Sequence, residues 1–274
     1  MTALITFDPD RFLRPDNASA RPAVLSSSCL NGEPVRYDGR ARTVTTHSLL
    51  AANLTLQPLC PETGAGLPVP RPPVQLVVAP SEPARSATPT SLRARGRDDP
   101  GLDVTDALSR YASASVTTLR KQRPRPAGYL WKSRSPSCGW GTTPLFDNSG
   151  TQVGTGDGIQ AARVRAELPW LICRDEVGIE EQGAAEQFIL LCRLVHDVIN
   201  ETVPLAQLRT AHQPLVTLLD DAALATLLNC VARNDRLGYA AALSTASASG
   251  SPAQWLALFG RRPAAARPDS ERVG

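Results

Sequence analysis

The sequence has no long apolar segment, little net charge and no paired cysteine motif. None of its apolar runs reaches the roughly 18 residues that a membrane-spanning helix needs, so we predict no membrane span. The opening MTALITFDPDRF lacks a basic region followed by an apolar stretch, which predicts that there is no signal peptide and that the protein is cytoplasmic. The formal net charge of +3 is too small to indicate a nucleic-acid partner by itself.

Cysteine occurs six times, but no two cysteines form a C-x-x-C pair. Disulfides are uncommon in a reducing cytoplasm, so we expect these thiols to be buried side chains, metal ligands or nucleophiles. Without a paired motif, the spacing alone does not indicate one particular metal. Apolar residues make up 42% of the 274 residues, which is enough to build a real core in one large domain or in two unequal ones.

Four apolar runs separated by helical patterns indicate a mostly parallel sheet. The runs AVLSSS, LTLQPL, AGYLWKS and LPWLICRDE are predicted strands. Helices are predicted at 103–121 and 157–168, and strands that alternate with helices are typical of βαβ units. We therefore predict an α/β fold with a Rossmann-like sheet. The segment CPETGAGLPVPRPP is predicted to be neither helix nor central strand, and 79–101 to be an exposed loop.

The last quarter of the chain has the apolar spacing of helices. The segments AEQFILLCRLVHDVIN, DDAALATLLNCVARN and SPAQWLALFG are predicted helices, and Asp220 is the expected N-cap of the second. The predicted organisation is an N-terminal extension at 1–21, an α/β domain at 22–180, a helical accessory region at 181–260 and a disordered tail at 261–274.

Three cysteines occupy equivalent places in the predicted sheet. Cys29 and Cys60 directly follow two predicted strands, and Cys138 lies a few residues after a third. The carboxyl ends of parallel strands meet at one edge, where ligands bind, so we expect the three thiols to converge. Three thiolates repel one another unless a cation binds them, and soft thiolates select zinc, copper(I) or an iron–sulfur cluster. A lone cysteine at a strand end is, by contrast, more often a small buried apolar residue.

Five motifs occur in the order found in one known family: SSCLNGEPVRYDG, CPETGAGLPVPRPP, GLDVT, KSRSPSCG and GTGDGIQAA. On these motifs the chain resembles the thiouracil desulfidase family over about residues 22–177. The resemblance implies a Rossmann-like domain with a [4Fe-4S] cluster held by three cysteines, so that one iron lacks a protein ligand. It further implies that this iron accepts the sulfur of a thiolated pyrimidine, that water supplies the replacing oxygen, and that sulfide is released.

Carried over by motif, the resemblance implies that Cys29, Cys60 and Cys138 are the cluster ligands and that Glu62 and Ser135 act in catalysis. The chemistry of these residue types agrees with those roles. A carboxylate near the cluster can activate water or move protons, and a hydroxyl can orient the substrate or relay a proton. The alternatives are a solvated loop carboxylate for Glu62 and a turn-capping hydroxyl for Ser135.

The chain departs from the family pattern at several positions. Gln75 stands where an acidic residue is usual, Asn31 replaces a common leucine, and RARTVTTH replaces a Gly-rich continuation. Cys173 ends the fourth apolar run. If Cys173 reached the cluster, it would be a fourth thiolate ligand and would close the open iron. We favour a packing role for Cys173, as for Cys192 and Cys230 on apolar helical faces.

The sequence leaves the substrate open between thiouracil, thiouridine and thiolated tRNA. Arg36, Lys132 and Arg134 are candidates to hold an anionic or carbonyl-bearing substrate, although each is equally typical of exposed charge. The rival hypothesis is a non-catalytic iron–sulfur or zinc-binding sensor, or a protein that traffics sulfur.

Overall fold

The computed structural model describes residues 21–78, 92–200, 204–211, 220–246 and 251–257. Residues 1–20 of the predicted extension, most of the loop predicted at 79–101 and the predicted tail at 261–274 lie outside the described residues.

A four-stranded parallel sheet forms the centre of the molecule, as predicted. Its strands are β1 (Ala23–Ser27), β2 (Thr55–Leu59), β5 (Gly128–Trp131) and β8 (Ile172–Asp175), arranged in the order β2-β1-β5-β8. The chain moves outward from β1 to β2 and later returns to the other side of β1 with β5. This reversal creates a crevice outside the carboxyl ends of β1 and β5, which is the usual ligand site of such sheets.

Helices cover both faces of this sheet. They are α1 (His47–Asn53), α3 (Thr105–Lys121), α4 (Ile159–Glu167) and α5 (Ala184–Asn200). Just past the end of α3, Gln122 donates a hydrogen bond to Gln57, whose strand partner is Leu25. The face that carries Leu25 is therefore the α3 face. On the opposite face α5 packs so closely that a Cβ atom added at Gly128 would lie 2.5 Å from the Cys192 sulfur.

A second sheet, which the sequence analysis did not predict, packs beside the first. It consists of β3 (Val74–Val78), β4 (Leu92–Gly96), β6 (Thr143–Phe146) and β7 (Gln152–Gly156), in the order β4-β3-β6-β7. The prediction that 79–101 is entirely loop is therefore wrong at β4. This strand alternates buried apolar residues with arginines that point outward, which hides its apolar content in the sequence.

One turn of helix, α2 (Pro61–Gly64), follows β2. The prediction that this Gly- and Pro-rich segment contains no helix is wrong at these four residues. Proline is tolerated in the first helical turn because its missing N–H has no helical partner there.

The C-terminal region is helical, as predicted. After α5 come α6 (Leu205–Ala211), α7 (Asp221–Arg233), α8 (Arg236–Ala246) and α9 (Pro252–Ala257). Asp220 caps α7 by accepting the Ala223 N–H at 2.8 Å, which confirms its predicted role. These helices share one hydrophobic core with the parallel sheet, and the division at residue 180 stays a prediction. Among the described helices, none has the length and apolar character needed to span a membrane.

Candidate active site

The three strand-end cysteines line one cavity of about 520 Å³ at the carboxyl edge of the parallel sheet. All eight residues predicted to form the site contribute to its wall: Cys29, Cys60, Cys138, Glu62, Ser135, Arg36, Lys132 and Arg134. The expectation that residues far apart in sequence converge here is met because each cysteine follows a strand of the same parallel sheet.

Each cysteine is presented by a different local structure. Cys29 lies in a 3₁₀ helix, Ser28–Asn31, that begins directly after β1. Cys60 has extended backbone and immediately precedes α2. Cys138 follows β5 after a tight loop, in which the non-glycine residue Arg134 adopts a positive φ of 58°. Such backbone is uncommon outside glycine and clusters at functional sites.

A close approach of two backbones holds the Cys138 loop in place. A Cβ atom at Gly158 would lie 2.5 Å from the Ser137 carbonyl carbon and 2.9 Å from the Cys138 nitrogen. The Gly158 N–H donates to the Gly139 carbonyl at 2.8 Å, directly before α4 begins. Only glycine permits this contact, which explains why Gly158, the third glycine of the motif GTGDGIQAA, is required there.

Burial makes the thiols of Cys29 and Cys138 weak acids in the absence of a bound cation. Burial raises the pKa of Cys29 to about 11, although nearby Lys132 opposes this shift. Burial and the neighbouring Cys60 raise the pKa of Cys138 well above its ordinary value, while a hydrogen bond from Ser27 lowers it. A bound cation reverses this preference because coordination deprotonates a thiol outright.

The donor set fits an iron–sulfur cluster. Thiolates are the ligands that such clusters take, and the cavity wall carries three cysteines. Within the described part of the chain, no three His, Cys, Asp or Glu side chains are close enough to hold a single metal ion.

Glu62 is the centre of a buried hydrogen-bond network. Its Oε2 accepts a hydrogen bond from Arg71 Nε at 2.7 Å and forms an ion pair with Arg71 Nη2 at 2.6 Å. Arg71 also donates to the carbonyls of Val35 at 3.0 Å and Pro68 at 3.1 Å, so its position is fixed by three separate partners. The predicted alternative of a solvated loop carboxylate does not fit, because the Glu62 side chain is only 12% exposed.

The other oxygen of Glu62 faces two serine hydroxyls. Its Oε1 accepts from Ser137 Oγ at 3.2 Å and from Ser135 Oγ at 3.5 Å. Ser135 Oγ in turn accepts the backbone N–H groups of Ser137 at 3.2 Å and Cys138 at 3.1 Å. Ser135 thus caps the turn, as its alternative reading predicted, and also points toward the carboxylate.

Lys132 is engaged by a buried acid that the sequence analysis missed. Its Nζ lies 2.5 Å from Glu176 Oε1, and Glu176 also accepts from the Ser133 N–H and hydroxyl. Burial raises the pKa of Glu176, but the hydrogen bonds from Lys132 and Ser133 outweigh it and leave the pKa below its ordinary value. Glu176 directly follows β8, so its position at the end of a predicted strand could have identified it as a residue of the site.

Two arginines remain at the mouth of the cavity. Arg36 lies over the Tyr37 ring at 5.9 Å and 3.5 Å from Asp38. Arg134 donates its backbone N–H to Thr142, while its side chain lines the cavity.

The second sheet supplies the wall opposite the cysteines. Its contribution includes Val74, Gln75, Pro144 and Phe146, together with Arg97 just after β4. Gln75, noted as a departure from the family pattern, therefore lines the cavity itself. Neither Arg71 nor this part of the wall was predicted from the sequence. For Arg71, the local signal of a role in the site was its position among the prolines of PVPRPP.

The remaining cysteines lie apart from the cavity wall. Cys173 is half-buried in β8 beside Tyr129, and burial raises its pKa to about 12. Cys192 and Cys230 are buried in the hydrophobic core, as predicted.

The fold and the cavity together define a Rossmann-like α/β protein with a three-thiol site at the carboxyl edge of its sheet. A family model described as 2-thiouracil desulfurase matches residues 24–176, so the chain belongs to this family. That match confirms the resemblance inferred from the sequence motifs at about 22–177.

The chain is also similar to two known proteins. The chain is 28% identical over 142 residues to the uncharacterized protein YbbK of Bacillus subtilis (strain 168), covering 52% of this chain and 89% of YbbK. It is 26% identical to the solved structure of the [4Fe-4S]-dependent thiouracil desulfidase TudS, covering 59% of this chain and 95% of that one, with a TM-score of 0.43.

Proposed function

We propose that this protein is an iron–sulfur-dependent desulfidase that replaces the sulfur of a small thiolated pyrimidine with oxygen and releases sulfide. The observation that carries the proposal is the presence of three thiols, a carboxylate and a hydroxyl in one cavity of a desulfurase-family chain. The net change is non-redox: the C=S group and water become C=O and hydrogen sulfide, with no electron donor or acceptor.

Cys29, Cys60 and Cys138 would hold a [4Fe-4S] cluster in which one iron lacks a protein ligand. When bound, such a cluster supplies a soft Lewis acid for the departing sulfur. We also propose a cytoplasmic location, since a reducing compartment keeps the three thiols free of disulfides.

Glu62 is the proposed general base. Because Arg71 occupies Oε2, the free proton acceptor is Oε1, the oxygen that faces Ser135 and Ser137. Oε1 can take the proton of an attacking water molecule, and Ser135 can orient the substrate or pass a proton between the substrate and Glu62.

A free base or nucleoside is the proposed substrate. A cavity of about 520 Å³ lies within the usual range for small-molecule sites. Lys132 is neutralised by the buried Glu176 and Arg36 forms a partly exposed pair with Asp38, so Arg134 and, more weakly, Arg36 are the cations of the predicted set proposed for substrate contact. Thiolated tRNA is the larger alternative, and the assay below includes it.

The test is anaerobic reconstitution with iron and sulfide, followed by incubation with thiouracil, thiouridine or thiolated tRNA. We expect sulfide and the oxygenated product in equal amounts from the base or the nucleoside. Glu62→Gln should retain the cluster absorption and lose at least about 10²-fold in turnover, the range of general-base catalysis. Glu181→Gln, at an exposed position outside the cavity wall, is the control and should match the wild type. A loaded wild-type protein that releases no sulfide from any substrate would refute the proposal and favour a non-catalytic role.

A further inference from the structure

The hydroxyl of Tyr129 is a fully buried polar group near the site. The Tyr129 side chain is 0% exposed, and its hydroxyl has no hydrogen-bond partner among the described residues. Its ring is stacked on Trp131 with the centroids 3.4 Å apart, so the hydroxyl cannot readily turn toward solvent. A buried donor without an acceptor costs free energy, and such groups call for an explanation.

The register of the parallel sheet places Tyr129 on the sheet face that carries Ser27, next to the Cys138 thiol. Tyr129 pairs with Leu25 of β1, so the two side chains stand on the same face. Ser27, two residues after Leu25, is on that face too, and its hydroxyl contacts the Cys138 thiol. Burial raises the pKa of Tyr129 well above its ordinary value, and Cys138, Tyr111, Cys60 and Cys173 act on the hydroxyl in the same direction.

A second tyrosine adjoins the same region from α3. A Cβ atom added at Gly64, in the helical turn after Cys60, would lie 2.8 Å from the Tyr111 hydroxyl. Burial, Cys60 and Cys138 raise the pKa of Tyr111 as well. Two tyrosines from different elements thus neighbour the segments that carry Cys60 and Cys138, and of the two only Tyr129 is fully buried.

We propose that the Tyr129 hydroxyl donates a hydrogen bond to the Cys138 thiolate when the cluster is bound, and that this bond raises the reduction potential of the cluster. The inference rests on the proposed function, since it needs the cluster to be present. A hydrogen bond to a ligand sulfur withdraws negative charge from it, which stabilises the reduced and more negative state of the cluster. No proton is transferred, so the tyrosine stays neutral in both states.

The competing interpretation is that Tyr129 is a core aromatic whose hydroxyl has no role. The two interpretations differ in the variant Tyr129→Phe. If the hydroxyl has no role, the variant leaves the bound cluster unchanged. If the hydroxyl bonds a ligand sulfur, the variant lowers the reduction potential and reduces the sensitivity of the iron–sulfur vibrations to deuterated solvent.

The experiment compares anaerobically reconstituted wild type, Tyr129→Phe and Tyr239→Phe after iron and sulfide content have been matched. Tyr239 is a matched control because it is equally buried but belongs to α8, outside the cavity wall. We measure the reduction potential by spectroelectrochemistry and the iron–sulfur stretching frequencies by resonance Raman in H₂O and D₂O. We expect a lower potential and a smaller solvent-isotope shift in Tyr129→Phe alone, since the Ser27 hydroxyl still contacts Cys138. A fully loaded Tyr129→Phe protein with the wild-type potential and isotope shift overturns the inference.

A second measurement covers the case in which Tyr129→Phe binds the cluster poorly. Without the cluster, the inference expects this variant to unfold at a urea concentration no lower than that of cluster-free wild type, because the deleted hydroxyl had no partner there. A clear loss of stability in the cluster-free variant contradicts the inference. A wild type that binds the cluster but releases no sulfide contradicts only the proposed desulfidase activity, since the reduction potential is read independently of turnover.

Discussion

Arg71→Met should destabilise the protein more than any other substitution of a charged residue in the cavity wall. The Arg71 side chain is 5% exposed, and it binds Glu62 through two nitrogens as well as the carbonyls of Val35 and Pro68. Removing one member of a buried ion pair costs about 3–5 kcal/mol because the remaining charge is left uncompensated. Glu62 keeps its two serine donors, so we expect the lower end, about 3 kcal/mol.

The assay is urea unfolding of wild type and variant under identical conditions. With a slope near 3 kcal/mol per molar urea, a loss of about 3 kcal/mol moves the midpoint by about 1 M. Turnover of the loaded enzyme should fall by up to about 10²-fold, because Glu62 loses the group that orients it. Arg71→Lys should be intermediate, since a single ammonium cannot span a carboxylate and two carbonyls in the way a planar guanidinium does.

Arg97→Met provides the comparison. Arg97 lines the same cavity, but its side chain is 58% exposed and pairs with the exposed Asp98, so we expect a loss below about 1 kcal/mol. An Arg71→Met midpoint within about 0.2 M of wild type, or no lower than that of Arg97→Met, would refute the view that Arg71 holds Glu62 in place.

Three further substitutions test other parts of the site. Gly158→Ala should cost about 1–3 kcal/mol and reduce iron incorporation, because the new methyl group meets the Ser137 carbonyl; unfolding and iron analysis check this. Glu176→Gln should cost about 1.5–3 kcal/mol at neutral pH, because Lys132 loses its charged partner. The pKa of Glu176 in the folded protein lies below its ordinary 4.5. Its contribution to the free energy of unfolding is therefore complete above pH 4.5 and is lost as the pH falls through the lower folded-state pKa. The unfolding midpoint of Glu176→Gln should lack this acid dependence. Cys173→Ser should leave iron content and turnover unchanged, as measured on the reconstituted protein.

Matched controls accompany these substitutions. Gly178→Ala introduces a methyl group no closer than 3.4 Å to its neighbours and should have a small effect, unlike Gly158→Ala. Cys138→Ser should lose iron, unlike Cys173→Ser. Iron loss in Cys173→Ser would show that the thiol in β8 binds the cluster after all, and an unchanged acid transition in Glu176→Gln would remove Glu176 from the acid response.

The positions of the three cysteines could be predicted because parallel topology determines them. Once β1, β2 and β5 are recognised as parallel strands, Cys29, Cys60 and Cys138 must follow their carboxyl ends and meet at one edge. The cap of α7 was predictable for a different reason: the hydrogen bond between Asp220 and Ala223 joins residues only three positions apart, so a short stretch of sequence contains its physical cause.

The second sheet could not be predicted from local patterns. β4 reads LRARG, in which glycine and two arginines mask the alternation, and β6 contains a proline. The central pairing of this sheet joins Leu76 to Leu145, residues from distant parts of the chain. The ion pair of Lys132 could not be predicted from local patterns either. Lys132 was predicted to contact the substrate, but the fold places Glu176, 44 residues away in sequence, against it.

The Glu62 network joins the proposed base to the geometry of the thiols. Glu62 lies two residues after Cys60, and its Oε1 accepts hydrogen bonds from Ser135 and Ser137 in the loop that ends at Cys138. The carboxylate therefore bridges the segments that carry two of the three thiols, while Arg71 anchors it to the rest of the wall. A substitution at Glu62 that keeps its shape should preserve this bridge, whereas truncation should loosen both segments. For this reason Glu62→Gln separates proton transfer from cluster binding, and Glu62→Ala, which removes the bridge as well, should reduce both iron content and turnover.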